Sequence, residues 1–193
     1  NFRDVLELAR LKTPDPYDLL SRRPAPLVPR ALVFEVDGRL LADGSEAEPL
    51  NPASVEAAVA DAKARGAEGI LAALLHSYRN PAHEHAAKAI IARIAPGLPV
   101  YCSADVWPII REYERTVTAS VHGHAQPKVA HYLGSLHAAP IRAGVAAEPM
   151  VTKSNGGVMR AELGKTRCVE MLLSGTAAGA IGAAFVARQA GIP

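Results

Sequence analysis

The sequence has few cysteines, few aromatic residues and almost no net charge, and each shortage excludes something. There are two cysteines, Cys102 and Cys168, in 193 residues. A disulfide framework or a cysteine-rich metal centre needs more, so both are read as buried, inert thiols of a cytoplasmic protein. Aromatic residues make up 5% of the chain, and 21 Lys and Arg face 19 Asp and Glu for a net charge of +2. The two signs are interleaved, which excludes the basic patch or stripe of a nucleic-acid binder. No apolar run approaches the roughly 20 residues that span a bilayer. Ala177 to Ala187 is apolar but too short, so no membrane partner is expected. The chain opens without Met and directly in helix-forming sequence, so further chain is expected upstream and no leader peptide is read there.

What is present is ordinary for a globular protein: 49% hydrophobic and 21% charged residues. Phe2, Val5, Leu6 and Ala9 stand at helical spacing, the end of an amphipathic helix. Prolines 14, 16, 24, 26 and 29 then impose an extended surface connection. Asp37-Gly38 lies between the apolar runs Ala31–Asp37 and Arg39–Ala42, which predicts a β-hairpin near the start. Alternating helix and strand follow. Asn51-Pro52 opens a helix that Gly66 stops. Gly69–Leu75 reads as a buried strand. Asn80-Pro81 opens a second helix with Ala87, Ile90, Ile91 and Ile94 inward, and Pro99–Ser103 is a second strand. Ile109 to His137 is helical, split or kinked at Pro127. Pro149–Lys153 and Val169–Leu173 read as strands, and Ser174 caps a last helix to about Gln189. The fold class is therefore α/β, a mostly parallel sheet flanked by helices, with a soft domain boundary near residue 120.

Four constellations are candidates for chemistry. Ser154-Asn155-Gly156-Gly157 follows a strand; its glycines let backbone N–H groups approach a ligand, or simply make a turn. Ser174-Gly175-Thr176 opens a helix whose N-terminus suits an anion, while Gly175, Gly179 and Gly182 equally suit close packing. It is no P-loop, since the Gly-Lys-Ser/Thr ending is absent. Arg111 and Arg115, four apart on a helix, form either a solvated ion-pair face with Glu112 or a carboxylate or phosphate clamp. The seven histidines all fall between His76 and His137. His83/His85 and His122/His124 are two apart and point to different sides of a helix, no HExxH occurs, and no metal site is read.

Several of these motifs together resemble one family. Asn1-Phe-Arg-Asp-Val-Leu-Glu-Leu8, Leu75-His-Ser-Tyr-Arg-Asn-Pro-Ala-His-Glu84, Ile110-Arg-Glu-Tyr-Glu-Arg-Thr116, Ser154-Asn-Gly-Gly157 and Leu173-Ser-Gly-Thr-Ala-Ala-Gly179 are similar, in order and spacing, to segments of the hydantoinase/oxoprolinase family (N-methylhydantoinase A-type subunits). The resemblance covers essentially the whole chain. One departure is Thr176, where the family usually has proline.

The resemblance implies an internal fragment: residues 1–120 as the second half of the family's N-terminal region, and 121–193 as the start of its central domain. It implies a place within a ribonuclease-H-like architecture, as in actin, heat-shock-70 chaperones and hexokinase. The parent would be an ATP-dependent, ring-opening hydrolase of cyclic amides such as hydantoin, N-methylhydantoin or 5-oxoproline. It would use ATP and Mg and act with a second large, hydantoinase B-type subunit. Two alternatives stay open: a subunit of an acetone or acetophenone carboxylase, and a non-catalytic interaction module. The family's phosphate hairpins are expected upstream of residue 1 and just after Pro193, so the isolated chain should be inactive. Arg111, Arg115, Ser154, Asn155, Gly156, Gly157, Ser174 and Gly175 are the residues expected at a substrate or nucleotide cleft.

Overall fold

A computed structural model describes residues 3–145 and 148–192. The start of the first motif, Asn1 and Phe2, lies outside the described residues. The chain divides into two compact units, Asn1–Gly123 and His124–Pro193.

In the first unit, α1 spans Val5–Leu8. The helix ends early because Ala9, Arg10 and Leu11 all take positive φ, a conformation an L-residue helix cannot continue. The proline-rich stretch forms no regular element up to a short 3-10 turn at Arg30–Leu32. The hairpin expected at Asp37-Gly38 forms one turn later. β1 (Arg39–Leu40) pairs antiparallel with β2 (Glu46–Glu48), and the reversal lies between them. Asp43 makes it: its carboxylate accepts from the backbone N–H and hydroxyl of Ser45, an Asx-type turn. Asp37 instead accepts from Asn51 N at 2.9 Å and so joins the hairpin to the next helix.

That helix, α2 (Pro52–Ala64), starts as its sequence predicts, with the Asn51 side chain accepting from Ala53 N. β3 (Ile70–Ala72) pairs parallel with β4 (Val100–Cys102), Ile70 opposite Val100. Between them lies α3 (Ala82–Ile94), whose first turn is capped by the Asn80 side chain on Ala82 N. Val55 and Val59 of α2, Ala72 of β3 and Ala87 and Ile91 of α3 are buried together. After β4 come the short α4 (Ser103–Val106) and α5 (Glu112–Arg142). α5 is one assigned helix with Pro127 and Pro140 inside. Pro127 has no N–H for the carbonyl four residues back, that of Gly123, and the division between the units falls there.

In the second unit, β5 (Met150–Thr152) and β6 (Val158–Arg160) form an antiparallel hairpin. α6 (Ala161–Gly164) follows, and buried Leu133, Met159, Ala161 and Cys168 make its core. One expectation fails here. The apolar run Val169–Leu173 is a 3-10 turn over Cys168–Met171, not a strand. Ser154 takes its carbonyls: Glu170 O accepts from Ser154 N, and the single Ser154 hydroxyl proton is shared between Glu170 O and Leu172 O. The expected parallel pairing is seen in β3–β4, while the other two strand pairs among the described residues are antiparallel.

The last helix, α7, spans Ser174–Gln189, and none of its residues is buried. The 22-residue stretch Cys168–Gln189, which contains an 18-residue window with a mean hydropathy of 1.6, is long and apolar enough to cross a membrane by length and composition. Counting Ala177–Ala187 alone missed this. Leu173, at φ 62°, interrupts the stretch. α7 by itself is 16 residues long, so it reaches about 24 Å against a hydrocarbon core of about 30 Å.

Gly38 is the least replaceable of the first unit's glycines. It holds φ 144°, and an added Cβ would lie 2.9 Å from Leu50 Cα, a backbone atom unable to swing away. Gly66 has φ 79° with nothing within 4 Å. Gly66→Ala should therefore cost only its backbone strain, about 1–2 kcal/mol, and Gly38→Ala clearly more. Denaturant midpoints of the two variants check the order; equal losses would mean that Leu50 gives way freely.

Candidate functional site

Two of the motifs meet in one buried polar cluster of the first unit. Arg115, in the first turn of α5, is fully buried. Its Nε donates to Ser103 Oγ at 3.0 Å, its Nη1 to Ile109 O at 2.8 Å and its Nη2 to Leu74 O at 2.8 Å. Glu112 Oε1 stands 3.6 Å from Nη2, and the guanidinium carbon lies 5.9 Å from the centre of the Tyr78 ring. Glu84, on α3, is also fully buried. Its Oε1 accepts from Leu74 N (2.8 Å) and from Ser103 Oγ (2.7 Å), and its Oε2 from Ala104 N (2.9 Å). The Ser103 hydroxyl thus accepts from the cation and donates to the anion, with Ser77 Oγ a further 3.5 Å away.

Elementary electrostatics explains the arrangement. A buried charge is tolerated only when paired and fully hydrogen-bonded. Glu84 and Arg115 cancel in net charge through the shared hydroxyl. They also take both polar groups of Leu74, its N–H by Glu84 and its C=O by Arg115. Those groups lie just past β3, where the ladder no longer serves them. The solvated ion-pair reading of Arg115 is thereby overturned. Arg111 does not share its helical face: α5 begins at Glu112, and Arg111 precedes it, exposed, at φ 110°. Sequence reasoning missed Glu84, Ser103 and Ser77, since a carboxylate and two serines carry no spacing signal. Glu84 and Ser77 could have been found only as members of the Leu75–Glu84 motif.

The other candidates lie in the second unit. Asn155-Gly156-Gly157 is the β5–β6 turn, with Gly156 at φ 83° and Asn155 Oδ1 accepting from Gly157 N at 3.0 Å. An added Cβ on Gly156 would lie 2.4 Å from Ile181 Cδ1 of α7, so a side chain already covers the glycine. Ser154 is spent on Glu170 and Leu172, and Lys153 pairs with Glu170 at 2.6 Å. Ser174 is the first residue of α7 and makes no cap hydrogen bond; the cap position is Leu173. Nothing lies within 4 Å of a Cβ on Gly175, Gly179 or Gly182, so the close-packing role expected of these glycines is not seen among the described residues. No cradle of converging backbone N–H groups, as a triphosphate requires, is seen among these candidates. These second-unit candidates alone therefore do not make up a triphosphate site. One trio of metal-type donors, His85, Cys102 and Asp105, does come together.

Two family models match the chain, Hydantoinase/oxoprolinase N-terminal region over residues 1–95 and Hydantoinase/oxoprolinase over residues 115–192. The chain belongs to the hydantoinase/oxoprolinase family. It is 33% identical over 187 residues to an uncharacterized protein of Methanocaldococcus jannaschii, covering 97% of this chain and 28% of that protein. It is 32% identical to the caprolactamase subunit alpha of Pseudomonas jessenii, over 86% of this chain and 24% of that subunit. The structure of the ATP-dependent caprolactamase matches with a TM-score of 0.74 at 29% identity, over 88% of this chain and 26% of the other. A nucleotide-free acetone carboxylase structure matches with a TM-score of 0.88 at 28% identity, over 99% of this chain and 28% of the other. The chain thus spans about a quarter of the length of the curated relatives it matches.

The buried cluster predicts a stability phenotype. Arg115→Ala should destabilise the first unit by about 3–5 kcal/mol, because Glu84 is left as an uncompensated buried charge. Arg115→Lys keeps the charge and loses the fork, at about 2 kcal/mol. A double-mutant cycle of Arg115→Lys with Ser103→Ala should show coupling of about 1 kcal/mol. Additivity within about 0.3 kcal/mol would mean that the hydroxyl bridges nothing.

Proposed function

We propose that this chain forms part of a subunit of an ATP-dependent enzyme that hydrolyses a cyclic amide. The observation that carries the reading is the likeness to caprolactamase subunit alpha over 86% of the chain, which extends through both compact units. In this reading the first unit belongs to the N-terminal region and the second to the start of the central domain, within an actin-like architecture. ATP with Mg activates the amide, and a second large subunit completes the enzyme. Hydantoins, 5-oxoproline and lactams are the substrate class. A carboxylase of small ketones is the second reading, and the TM-score of 0.88 to acetone carboxylase favours it specifically.

The full-length subunit, co-purified with its partner subunit, separates the two. ADP release stimulated by hydantoin, 5-oxoproline or caprolactam supports the amide reading. Stimulation only by acetone or acetophenone with bicarbonate transfers the chain to the second. The 193-residue chain alone should show no rise in melting temperature with millimolar Mg-ATP. One open helix N-terminus contributes about 0.3–1 kcal/mol, against about 8 kcal/mol for micromolar affinity. A ligand at 100 times its Kd would stabilise by about 2.7 kcal/mol, so a clear rise would refute the absence of a nucleotide site here.

A further inference from the structure

We infer that His85, Cys102 and Asp105 form a binding site for a zinc-type divalent transition metal, on the first unit where α3, β4 and α4 meet. Their ligand atoms all lie within 4.8 Å of one another. The donors come from three elements: His85 from the first turn of α3, Cys102 from the last position of β4, Asp105 from α4. Sequence spacing conceals them, because the whole of α3 separates His85 from Cys102.

The geometry is that of a small well. The Cys102 sulfur is the floor, almost completely buried. His85 and Asp105 form the rim, with about half of each side chain exposed, and Nε2 lies 2.7 Å from Oδ1. A metal has an entry path from solvent and meets a nitrogen, an oxygen and a sulfur. Tetrahedral zinc at ordinary bond lengths needs these donors about 3.4–3.6 Å apart, so the His85–Asp105 pair, now 2.7 Å apart, opens by about 0.7 Å while the sulfur, within 4.8 Å of both, closes by up to about 1 Å. The support around the ligands is also present. Lys88 Nζ stands 3.6 Å from Oδ2, the oxygen that the metal leaves free, and partners of this kind orient ligating carboxylates.

Charge and protons balance. Thiolate and carboxylate neutralise a divalent ion, and the imidazole binds neutral through Nε2. The metal replaces the thiol proton, which now faces Glu84 O at 3.4 Å and passes to solvent, and the imidazole turns its Nε2 lone pair to the metal while keeping its one proton on Nδ1. Burial, and after it the charges of Asp105 and Glu84, push the thiol up to about 12. The metal-free form is therefore the protonated one, and the same two carboxylates favour a cation. A thiolate and an imidazole select zinc and its neighbours over Mg or Ca, and three protein ligands leave a fourth position open.

Titration of the full chain with Co²⁺ tests the site. One saturable equivalent should appear, with tetrahedral d–d bands and a thiolate-to-cobalt charge-transfer band, and Zn²⁺ should bleach it. Cys102→Ser should abolish the charge-transfer band. His85→Gln and Asp105→Asn should weaken binding by about tenfold or more. These two change exposed side chains, so they carry the test if Cys102→Ser does not fold. Absence of a saturable spectrum in the folded chain, or wild-type affinity in both rim variants, would overturn the site and leave a surface His–Asp pair above an inert thiol.

Discussion

The guanidinium of Arg115 is the constraint on which the first unit depends. It is fully buried and reaches three separate segments: the loop after β3 through Leu74, α4 through Ser103, and the loop after α4 through Ile109. The Leu74 and Ile109 carbonyls lie in loops with no sheet or helix to satisfy them, and Ser103 offers its hydroxyl. A planar donor with a rigid fork can serve them together, and an ammonium group cannot. Glu84 mirrors it from α3. It takes the N–H of Leu74 and that of Ala104 in the first turn of α4, a group that the helix leaves without an internal partner. Two buried charges thus do the hydrogen-bonding work of a sheet edge where the sheet is one strand pair wide.

The same accounting explains how the flanking hairpin is held. β1 and β2 are too short to stand alone. Glu46 meets the buried His83 ring at 2.7 Å, and Asn80 donates to Gly44 O at 2.8 Å. Both anchors belong to the motif that also supplies Ser77 and Glu84. One ten-residue motif therefore ties the hairpin on one side and the polar cluster on the other. The apolar core of α2, β3 and α3 lies alongside.

How much of this was legible depended on the range of the interaction. Asn51 and Asn80 were readable as caps because a cap is settled by residues two positions apart. The Gly156 turn was readable because Asn-Gly is local turn chemistry. The hairpin was misplaced because Asp37-Gly38 carries the same local signal, yet Asp37 is claimed by Asn51 and Ser54. Val169–Leu173 is apolar apart from Glu170, and no local rule shows that Ser154 would capture its carbonyls. Arg115 looked like a surface cation for the same reason. The partners that justify its burial stand up to 41 positions away.

This bears on what the family motifs report. Within the described residues, Ser77 and Glu84 of one motif and Arg115 of another are buried against each other, and Ser154 of a third is spent on main-chain carbonyls. Side chains engaged in this way are committed first to holding the framework together. A change at any of them acts on stability before chemistry, and lost activity in such a variant is not by itself evidence of a catalytic role. The groups left at the surface are different in kind: Arg111 held at φ 110°, the start of α7 at Ser174 and Gly175, and the paired rim of His85 and Asp105. Of these, only the last converges with a second and third donor on one point. That convergence separates a site from an exposed side chain, and motif likeness alone would have directed attention to the framework instead.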